Sequence, residues 1–261
     1  MKFYVYETDT RQKLIGEFLE KKGLIKDKTV SDVDILVLPF VNVEKNLEID
    51  INQDYVNSLK KTVKVFTGVK NERLRKLFQE NNKSYTEIME YKEVSVLNSI
   101  PTAEGVLYNV IGSSTKGVFG STVLVLGYGV CGSEIVRKLK ALGANIDVIE
   151  QNEEKQAFAE IRGIYSVEEK DIYKKDYDYI INTIPEKIIS TQTLKNISKT
   201  TIIFDIASFP YGFDEEEVSE KELNYKRLGS LPTKFGVDFS SYAIGNFIYK
   251  KMRGEYIDIS R

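Results

Sequence analysis

A glycine-rich stretch at residues 127–132 carries the clearest chemical signal in the chain. It reads Gly-Tyr-Gly-Val-Cys-Gly, follows an apolar run at 123–126, and opens a segment with helical spacing of apolar residues that ends at Gly143. In a G-x-G-x-x-G motif the first glycine permits a tight turn, the second leaves room for a pyrophosphate, and the third lets the helix pack against the strand. The free N–H groups and the positive end of the helix dipole then face the phosphates. The stretch therefore predicts a dinucleotide-binding site.

An acidic residue extends this prediction to the kind of cofactor. The next strand-like run, 146–149, stops at Glu150. A carboxylate at that place accepts hydrogen bonds from the adenosine ribose hydroxyls, and it would repel a 2′-phosphate. We therefore expect NAD in preference to NADP. The residues expected to contact the cofactor here are Gly127, Gly129, Val130, Cys131, Glu150 and Gln151.

Polar residues also follow two later apolar runs, 179–182 and 201–205, which we interpret as buried parallel strands. In a doubly wound sheet the ligand lies beyond the C-terminal ends of the strands. We therefore expect the nicotinamide half of the cofactor to contact Asn182, Thr183, Ile184, Asp205 and Ala207. Turn formation before Pro185 would equally explain Asn182 and Thr183, and Asp205 could equally cap the next turn.

The chain contains no histidine, which narrows its chemistry more than any other count. Histidine is the usual acid–base group near neutral pH and the commonest metal ligand. Since there is also a single cysteine, we expect no metal site. We expect that cysteine, Cys131, to be a packing residue rather than a nucleophile.

The composition is that of a globular protein with no sign of a nucleic-acid or membrane partner. Of 261 residues, 42% are hydrophobic and 29% are charged, and the net charge is −2. This charge is unlike the basic footprint of a nucleic-acid-binding protein, and no apolar run approaches the ~20 residues of a membrane span. Glu7 lies where a signal peptide would be apolar. We expect a cytoplasmic protein without disulfides.

Short β-rich runs alternate with amphipathic segments along the chain, which is typical of α/β folds. We predict two α/β domains with parallel sheets, the C-terminal one a Rossmann dinucleotide-binding fold. Thr8 or Asp9 can cap the first helix and Asn71 a later one, residues 94–97 form a predicted strand, and Pro101 fits the first turn of a helix. The predicted parts are an N-terminal substrate-side domain at 1–98, a linking helix and loop at 99–117, a Rossmann domain at 118–238, and a C-terminal helix near the domain junction at 239–261.

The junction between the two predicted domains is where we expect the active site. Without histidine, proton transfer would fall to a hydroxyl, to a carboxylate such as Glu104, or to water. Arg11 follows the first predicted strand and can hold a substrate carboxylate with its bidentate guanidinium. The catalytic candidates are Ser99, Thr102, Glu104, Asn182 and Ser208, and the substrate-binding candidates are Arg11, Asn98 and Lys234.

The order of motifs along almost the whole chain resembles that of the dipicolinate synthase family, in its NAD(P)-binding oxidoreductase component. The run Asn-Ser-Ile-Pro-Thr-Ala-Glu-Gly at 98–105 is nearly the family's motif at the start of the linking helix. The other matching segments are Asp-Thr-Arg-Gln at 9–12, Leu-Pro at 38–39, Leu-Gly-Tyr-Gly at 126–129, Ala-Leu-Gly-Ala at 141–144, Ile-Asn-Thr-Ile-Pro at 181–185, Asp-Ile-Ala-Ser at 205–208 and Leu-Pro at 231–232.

This resemblance implies a specific reaction and a partner. In the family, an oxidoreductase of spore-forming bacteria uses NAD(P) to oxidise a cyclic dicarboxylate, made from aspartate semialdehyde and pyruvate. The oxidation accompanies loss of water and yields the aromatic pyridine-2,6-dicarboxylate. The family protein works with a second, flavoprotein-like subunit. We expect the same substrate class and partner here, and a homo-oligomer is a further expectation.

Several departures from the family pattern affect the cofactor and the substrate. Val130 replaces an arginine of the glycine turn, and residues 150–152 replace the family's Ala-Arg-Ser, so two cations suited to a 2′-phosphate are absent. The family's His-Gly and Ala-Ser-Arg-Pro carry Phe119 and Phe209 here, and its late Ala-Pro-Lys-Thr-Ala-Gly is the altered segment 234–245. Two other interpretations therefore stay open, namely a dehydrogenase of another small acid and an NAD-binding, non-catalytic or sensor protein with a degenerate substrate site.

Overall fold

In a computed structural model of the chain, residues 1–40, 43, 50–113 and 116–255 are described. The described chain divides into two compact units, residues 1–98 with 236–255, and residues 99–235. Each unit holds one fully parallel sheet, which confirms the predicted pair of α/β folds. Residues 41, 42, 44–49, 114, 115 and 256–261, which belong to three of the predicted segments, lie outside the described residues.

The strands and helices follow one another along the chain in the alternation that the sequence predicts. The strands are β1 (Lys2–Val5), β2 (Ile25–Lys26), β3 (Ile35–Val37), β4 (Lys64–Thr67), β5 (Ser84–Glu87), β6 (Thr122–Leu126), β7 (Asn145–Ile149), β8 (Tyr165–Ser166), β9 (Tyr179–Asn182), β10 (Ile202–Asp205) and β11 (Asn224–Arg227). The helices are α1 (Thr10–Lys21), α2 (Gln53–Ser58), α3 (Glu72–Glu80), α4 (Lys92–Ser113), α5 (Val130–Ala141), α6 (Glu153–Glu160), α7 (Thr191–Leu194), α8 (Glu215–Glu220) and α9 (Val237–Arg253).

The sheet of the first unit has the strand order β2-β1-β3-β4-β5. Both of its faces are buried, as expected where helices cover a parallel sheet. Phe3 and Ile35 lie in the core on the face that packs against α1 and α9, whereas Leu36 and Val65 lie in the core on the other face. The side chain of Asp9 accepts a hydrogen bond from the N–H of Gln12, and Asn71 does the same for Leu74, so both predicted helix caps are present.

The sheet of the second unit has the strand order β11-β10-β9-β6-β7-β8. Alternate residues again enter two cores: Val125 and Ile181 lie on one face, and Leu124 and Ile180 on the other. The chain first winds outward from β6 to β7 and β8, and then returns to the opposite side of β6 to form β9. The strand order therefore reverses between β6 and β9, which is where doubly wound sheets bind their ligands.

The long helix α4 differs from its predicted form. It begins at Lys92, so the predicted strand at 94–97 is wrong, and Pro101 lies inside the helix rather than in its first turn. The alternation of Val94 and Val96 looks like a strand, but Val94 is buried while Val96 is exposed, as on one face of a helix. Because proline has no N–H, Pro101 costs the helix one backbone hydrogen bond.

The loops after β3 and β4 pack closely in the first unit. The N–H of Val69 donates to the carbonyl of Phe40 at 3.2 Å, and the hydroxyl of Thr67 donates to the carbonyl of Pro39 at 3.0 Å. A Cβ on Gly68 would lie 2.5 Å from the carbonyl oxygen of Phe40 and 2.7 Å from its Cα. This backbone contact is possible because residue 68 is glycine, and it fixes the position of Phe40.

We expect the substitution Gly68→Ala to lower the free energy of unfolding by about 2 kcal/mol, because the added methyl group must displace backbone rather than a mobile side chain. The same substitution at Gly112, where a Cβ would meet nothing within 4 Å, is the control. It should raise stability by up to about 1 kcal/mol, because alanine is the better helix former. Urea denaturation followed by circular dichroism measures both, and equal stability of the two variants would contradict the close contact at Gly68.

Candidate cofactor-binding site

The glycine turn lies directly after β6, beside the point where the strand order reverses. Gly127 has a φ angle of +92°, a conformation that residues with a Cβ rarely adopt. Its N–H donates to the carbonyl of Ile149 at 2.8 Å, which continues the pairing of β6 with β7. On the other side, the N–H of Thr183 donates to the carbonyl of Leu126 at 3.0 Å. The ends of β7 and β9 therefore hold the turn from both sides.

The three glycines of the turn face different surroundings. A Cβ on Gly127 would lie 2.6 Å from Oγ1 of Thr183, and one on Gly132 would lie 2.0 Å from the carbonyl oxygen of Gly127. A Cβ on Gly129 would meet no protein atom within 4 Å. Gly127 and Gly132 are therefore required by packing within the protein, whereas Gly129 leaves open space.

That open space lies at the N-terminus of α5. Gly129 is the N-cap residue of the helix and makes no side-chain capping hydrogen bond. Val130 and Cys131, two predicted contacts, form its first turn and are partly exposed. N–H groups at a helix N-terminus bind phosphate groups well. Burial raises the pKa of the Cys131 thiol, which opposes formation of a thiolate. The turn thus fits the pyrophosphate of a dinucleotide.

Glu150 follows the end of β7 and lies beside the glycine turn. One of its carboxylate oxygens accepts a hydrogen bond from the N–H of Tyr128 at 2.9 Å, and the other accepts from the N–H groups of Gln151 and Asn152 at 3.0 Å each. The carboxylate therefore ties the glycine turn to the loop after β7. The sequence does not predict the Tyr128 contact, because this contact uses a backbone N–H and therefore leaves no signal in the residue type.

Electrostatics keep Glu150 ionised. Burial alone would raise its pKa, but hydrogen bonds from the N–H groups of Asn152 and Tyr128, with the nearby Lys155 ammonium, hold the pKa below its usual range. A permanent negative charge suits hydroxyl donors and disfavours a phosphate. The predicted contact Gln151 is exposed, and its backbone N–H is already engaged by Glu150. These features favour NAD over NADP.

Asn182 and Asp205 form a buried network that joins the loops after β9 and β10. The Asn182 amide donates to the carbonyl of Ile184 at 3.0 Å and to Asp205 at 2.8 Å, and it accepts from the N–H of Ile184 at 3.1 Å. Asp205 also accepts from the N–H groups of Ala207 and Gly212 and from the hydroxyl of Tyr225. Both side chains are fully buried. These hydrogen bonds give both side chains a structural role within the protein, and their predicted catalytic and cofactor-binding roles stay predictions.

Two residues that the sequence did not single out support this network. Burial, followed by the Asp205 carboxylate, raises the pKa of Tyr225 to about 12, so its phenol stays protonated as a donor. A Cβ on Gly212 would lie 1.9 Å from Nδ2 of Asn182. The contact of Gly212 with Asn182 joins residues 30 positions apart, so no local pattern reveals it. Of the other predicted contacts in these loops, Thr183 donates its hydroxyl to the carbonyl of Leu126, and Ile184 and Ala207 are partly exposed.

The predicted catalytic residues of α4 have different surroundings. Ser99 and Thr102 are buried, and Asn98 is partly buried in the turn that precedes them. Glu104 is exposed and forms an ion pair with Lys138 at 3.3 Å. Because Lys138 follows the start of α5 by eight residues, this pair lies about 12 Å along that helix from its N-terminus. The structure therefore does not bring Glu104 to the glycine turn, and its predicted acid–base role at the domain junction stays a prediction.

Ser208 and Lys234 are both exposed. Ser208 follows β10 in the loop that Asp205 holds, and its carbonyl accepts a hydrogen bond from the N–H of Tyr211 at 2.8 Å. Within the described ranges, no group of three or more His, Cys, Asp or Glu residues could hold a metal ion. The helices described here include none that is long and apolar enough to cross a membrane.

The strand order, the glycine turn and Glu150 together define a dinucleotide-binding Rossmann fold. Residues 108–208 match the family model of the D-isomer specific 2-hydroxyacid dehydrogenase, NAD binding domain. The match confirms the predicted Rossmann domain and NAD as its cofactor.

Among proteins with this fold the chain is similar to the A subunit of dipicolinate synthase, as the sequence motifs indicate. It is 32% identical to that protein from Bacillus subtilis over 192 residues, which are 73% of this chain and 65% of the relative. The match thus spans less than two thirds of the relative's length.

Solved structures show the same fold. The A subunit of dipicolinate synthase from Bacillus halodurans superposes with a TM-score of 0.87 at 22% identity, covering 96% of this chain and 97% of that one. D-lactate dehydrogenase from Escherichia coli superposes with a TM-score of 0.69 at 14% identity, covering 98% of each chain.

We expect Gly129→Val to weaken NADH binding by about 100-fold or more, because its methyl groups would occupy the open space over the N-terminus of α5. The fold should be retained, since a Cβ there meets no protein atom within 4 Å. The measurement is an NADH fluorescence titration, which no tryptophan of this chain disturbs. The control is Gly229→Val, because Gly229 follows β11 and also has open space around it. Unchanged NADH affinity in a folded Gly129→Val variant would show that the turn is structural only.

We expect the wild-type chain to bind NADH at least about 10-fold more tightly than NADPH, since Glu150 would repel the 2′-phosphate. The double substitution Glu150→Ala and Gln151→Arg should reverse this preference. A matched control is Glu153→Ala with Gln151→Arg, because Glu153 is an exposed acid in the first turn of α6. Competition of NADPH against bound NADH measures each preference. Equal affinity of the wild-type chain for both cofactors would be evidence against the assigned role of Glu150.

Proposed function

We propose that this protein is an NAD-dependent oxidoreductase of the dipicolinate synthase type. Its substrate would be a cyclic dicarboxylate, a dihydrodipicolinate precursor, and its product dipicolinate. The observation that carries this proposal is the open space at Gly129 between an uncapped helix N-terminus and the ionised Glu150. Its support from relatives is the similarity to the A subunit of dipicolinate synthase.

Loss of water from the cyclic precursor would give a dihydropyridine ring, and removal of a hydride and a proton from that ring would leave the aromatic pyridine. Bound NAD would supply the hydride acceptor. The chain's own groups hold the reactants in place. The N–H groups that open α5 bind the pyrophosphate, and Glu150 orients the adenosine ribose. Ser99 and Thr102 are three residues apart and share one face of α4. We assign their hydroxyls to substrate orientation and proton transfer, together with the amide of Asn98.

Two further parts of the proposal concern partners. A flavoprotein-like second subunit is the expected partner, by analogy with the relative from Bacillus subtilis, whose name designates it as one subunit of a synthase. A homo-oligomer is the second expectation. Ser208 and Lys234 are exposed and stay candidates for contacts with substrate.

A second candidate function is an NAD-binding protein that does not turn over. The observation that favours it is the state of two carboxylates in the second unit. Asp205 is fully engaged in hydrogen bonds, and Glu104 pairs with Lys138. Because the chain also lacks histidine, a general base near neutral pH is not evident among these groups. A dehydrogenase of another small acid is the remaining alternative, because the fold does not determine the substrate.

We expect the purified chain to reduce NAD when it is given the cyclic precursor freshly made from aspartate semialdehyde and pyruvate. Absorbance of NADH and chromatography of the pyridine product measure the reaction, with NADP as the parallel arm. Gly129→Val should remove activity and Gly229→Val should retain it. Addition of a flavoprotein-like second subunit tests whether the partner is required.

The outcomes separate the candidate functions. Formation of dipicolinate with NAD would support the dipicolinate synthase type. Reduction of NAD by other small hydroxy acids but not by this precursor would favour a different dehydrogenase. Tight NADH binding without turnover of any of these substrates, with or without the flavoprotein-like partner, would favour the non-catalytic protein.

A further inference from the structure

Arg11 lies where the strand order of the first unit's sheet reverses. It lies in the first turn of α1, which follows β1, and its guanidinium carbon lies 4.9 Å from the ring centre of Phe40, which follows β3. The strand order β2-β1-β3 reverses at this pair, because the chain passes from β1 to β2 and then returns to the other side of β1. The C-terminal ends of strands at such a reversal are where parallel sheets bind ligands.

The charge of Arg11 has no counter-ion among the described residues. The residue is 4% exposed, and its Nε is enclosed without a hydrogen-bond acceptor. The nearest acid in sequence, Asp9, uses a carboxylate oxygen to cap the helix by accepting the N–H of Gln12 at 2.8 Å. Burial lowers the pKa of Arg11, and attraction by Asp9 offsets this only partly. Removing an unpaired guanidinium from water is costly, so a compensating anion is expected.

The polar groups next to Arg11 have hydrogen-bond partners within the protein, in contrast to the Arg11 guanidinium. The amide of Gln12, which is fully buried, donates to the carbonyl of Leu38 at 3.0 Å and accepts from the hydroxyl of Thr8. The hydroxyl of Ser241 donates to the backbone carbonyl of Arg11 at 3.2 Å. The position of the Phe40 backbone is fixed because Gly68 contacts it closely. The surroundings therefore hold Arg11 rigidly without using its hydrogen-bond donors.

We propose that Arg11 is the receptor for one carboxylate group of the substrate. A planar carboxylate matches the two parallel donors of a guanidinium edge. The single positive charge of one guanidinium matches a monoanionic carboxylate better than a doubly charged phosphate. The face of Phe40 stabilises the cation, while the Nε–H of Arg11 donates to no acceptor among the described residues. This inference rests on the proposed function for the identity of the substrate, a cyclic dicarboxylate, but the carboxylate site itself can be tested alone.

The experiment measures the shift in melting temperature of the full chain with acetate, glutarate, pyridine-2,6-dicarboxylate or inorganic phosphate. Wild-type chain should be stabilised by the carboxylates more than by phosphate. Arg11→Met should weaken carboxylate binding by about 10-fold or more, and it should melt at a higher temperature than wild type without ligand, because it removes an unpaired buried charge. An arginine that only supports the fold would lower the melting temperature when replaced.

The matched control is Lys13→Gln, which also removes one positive charge from the first turns of α1 but at an exposed position. It should keep the wild-type response. If Arg11→Met does not fold, Arg11→Lys takes its place and should weaken carboxylate binding, because lysine lacks the bidentate fork. Stabilisation by acetate or glutarate that needs Arg11, without any effect of pyridine-2,6-dicarboxylate, would support the site and count against the proposed function. Equal carboxylate binding by wild type and the Arg11 variant, or stabilisation by phosphate alone, would overturn the site.

Discussion

The approach of helix α5 to the turn after β6 is the contact on which the dinucleotide site depends. A Cβ on Gly132 would lie 2.0 Å from the carbonyl oxygen of Gly127, so the helix can begin directly after the strand only if residue 132 has no side chain. That immediate start leaves the helix N-terminus uncapped beside the open space at Gly129. Glu150 then accepts the N–H of Tyr128 and fixes the turn from β7. A shift of the helix would change the distance from its N–H groups to a bound phosphate, and with it the affinity.

The features that sequence predicts well are those whose signals are local. The glycine motif, the flanking apolar runs and Glu150 lie within 30 residues of one another, and the capping residues Asp9 and Asn71 act within a single helical turn. Helix α4 shows the limit of local pattern. Residues 94–97 have strand-like composition, while β5, with the polar sequence Ser-Tyr-Thr-Glu, lacks the apolar alternation of a typical strand. Val94 is buried in the folded protein, and this tertiary packing favours a helix over a strand at 94–97. The local amino-acid composition carries no information about that packing.

In the candidate site, too, local sequence signals predict some features, while others depend on residues distant in sequence. Sequence places Asn182 and Asp205 at the ends of neighbouring strands, and the structure agrees. Whether their side chains face a ligand or one another depends on groups that arrive from β11 and the loop at Gly212. Glu104 gives the same lesson, since its partner Lys138 comes from another helix. Residue types at strand ends therefore predict where a site lies, but not which side chains stay available for chemistry.

The two units differ in how a charged side chain is hydrogen-bonded at the place where the strand order of the sheet reverses. In the second unit, three backbone N–H groups donate hydrogen bonds to the ionised Glu150 carboxylate, and the open space beside it is left by glycine. In the first unit, rigid and satisfied neighbours surround Arg11, whose guanidinium has no counter-ion within the described part of the chain. Buried polar groups whose hydrogen bonds are all made within the protein help to specify one fold. A buried cation without a counter-ion is unfavourable, and binding of an anion removes this unfavourable free energy. Because Arg11 is already held in place before an anion binds, less conformational entropy is lost on binding and the affinity is higher. The unpaired buried charge lowers the folding stability of the anion-free protein in return.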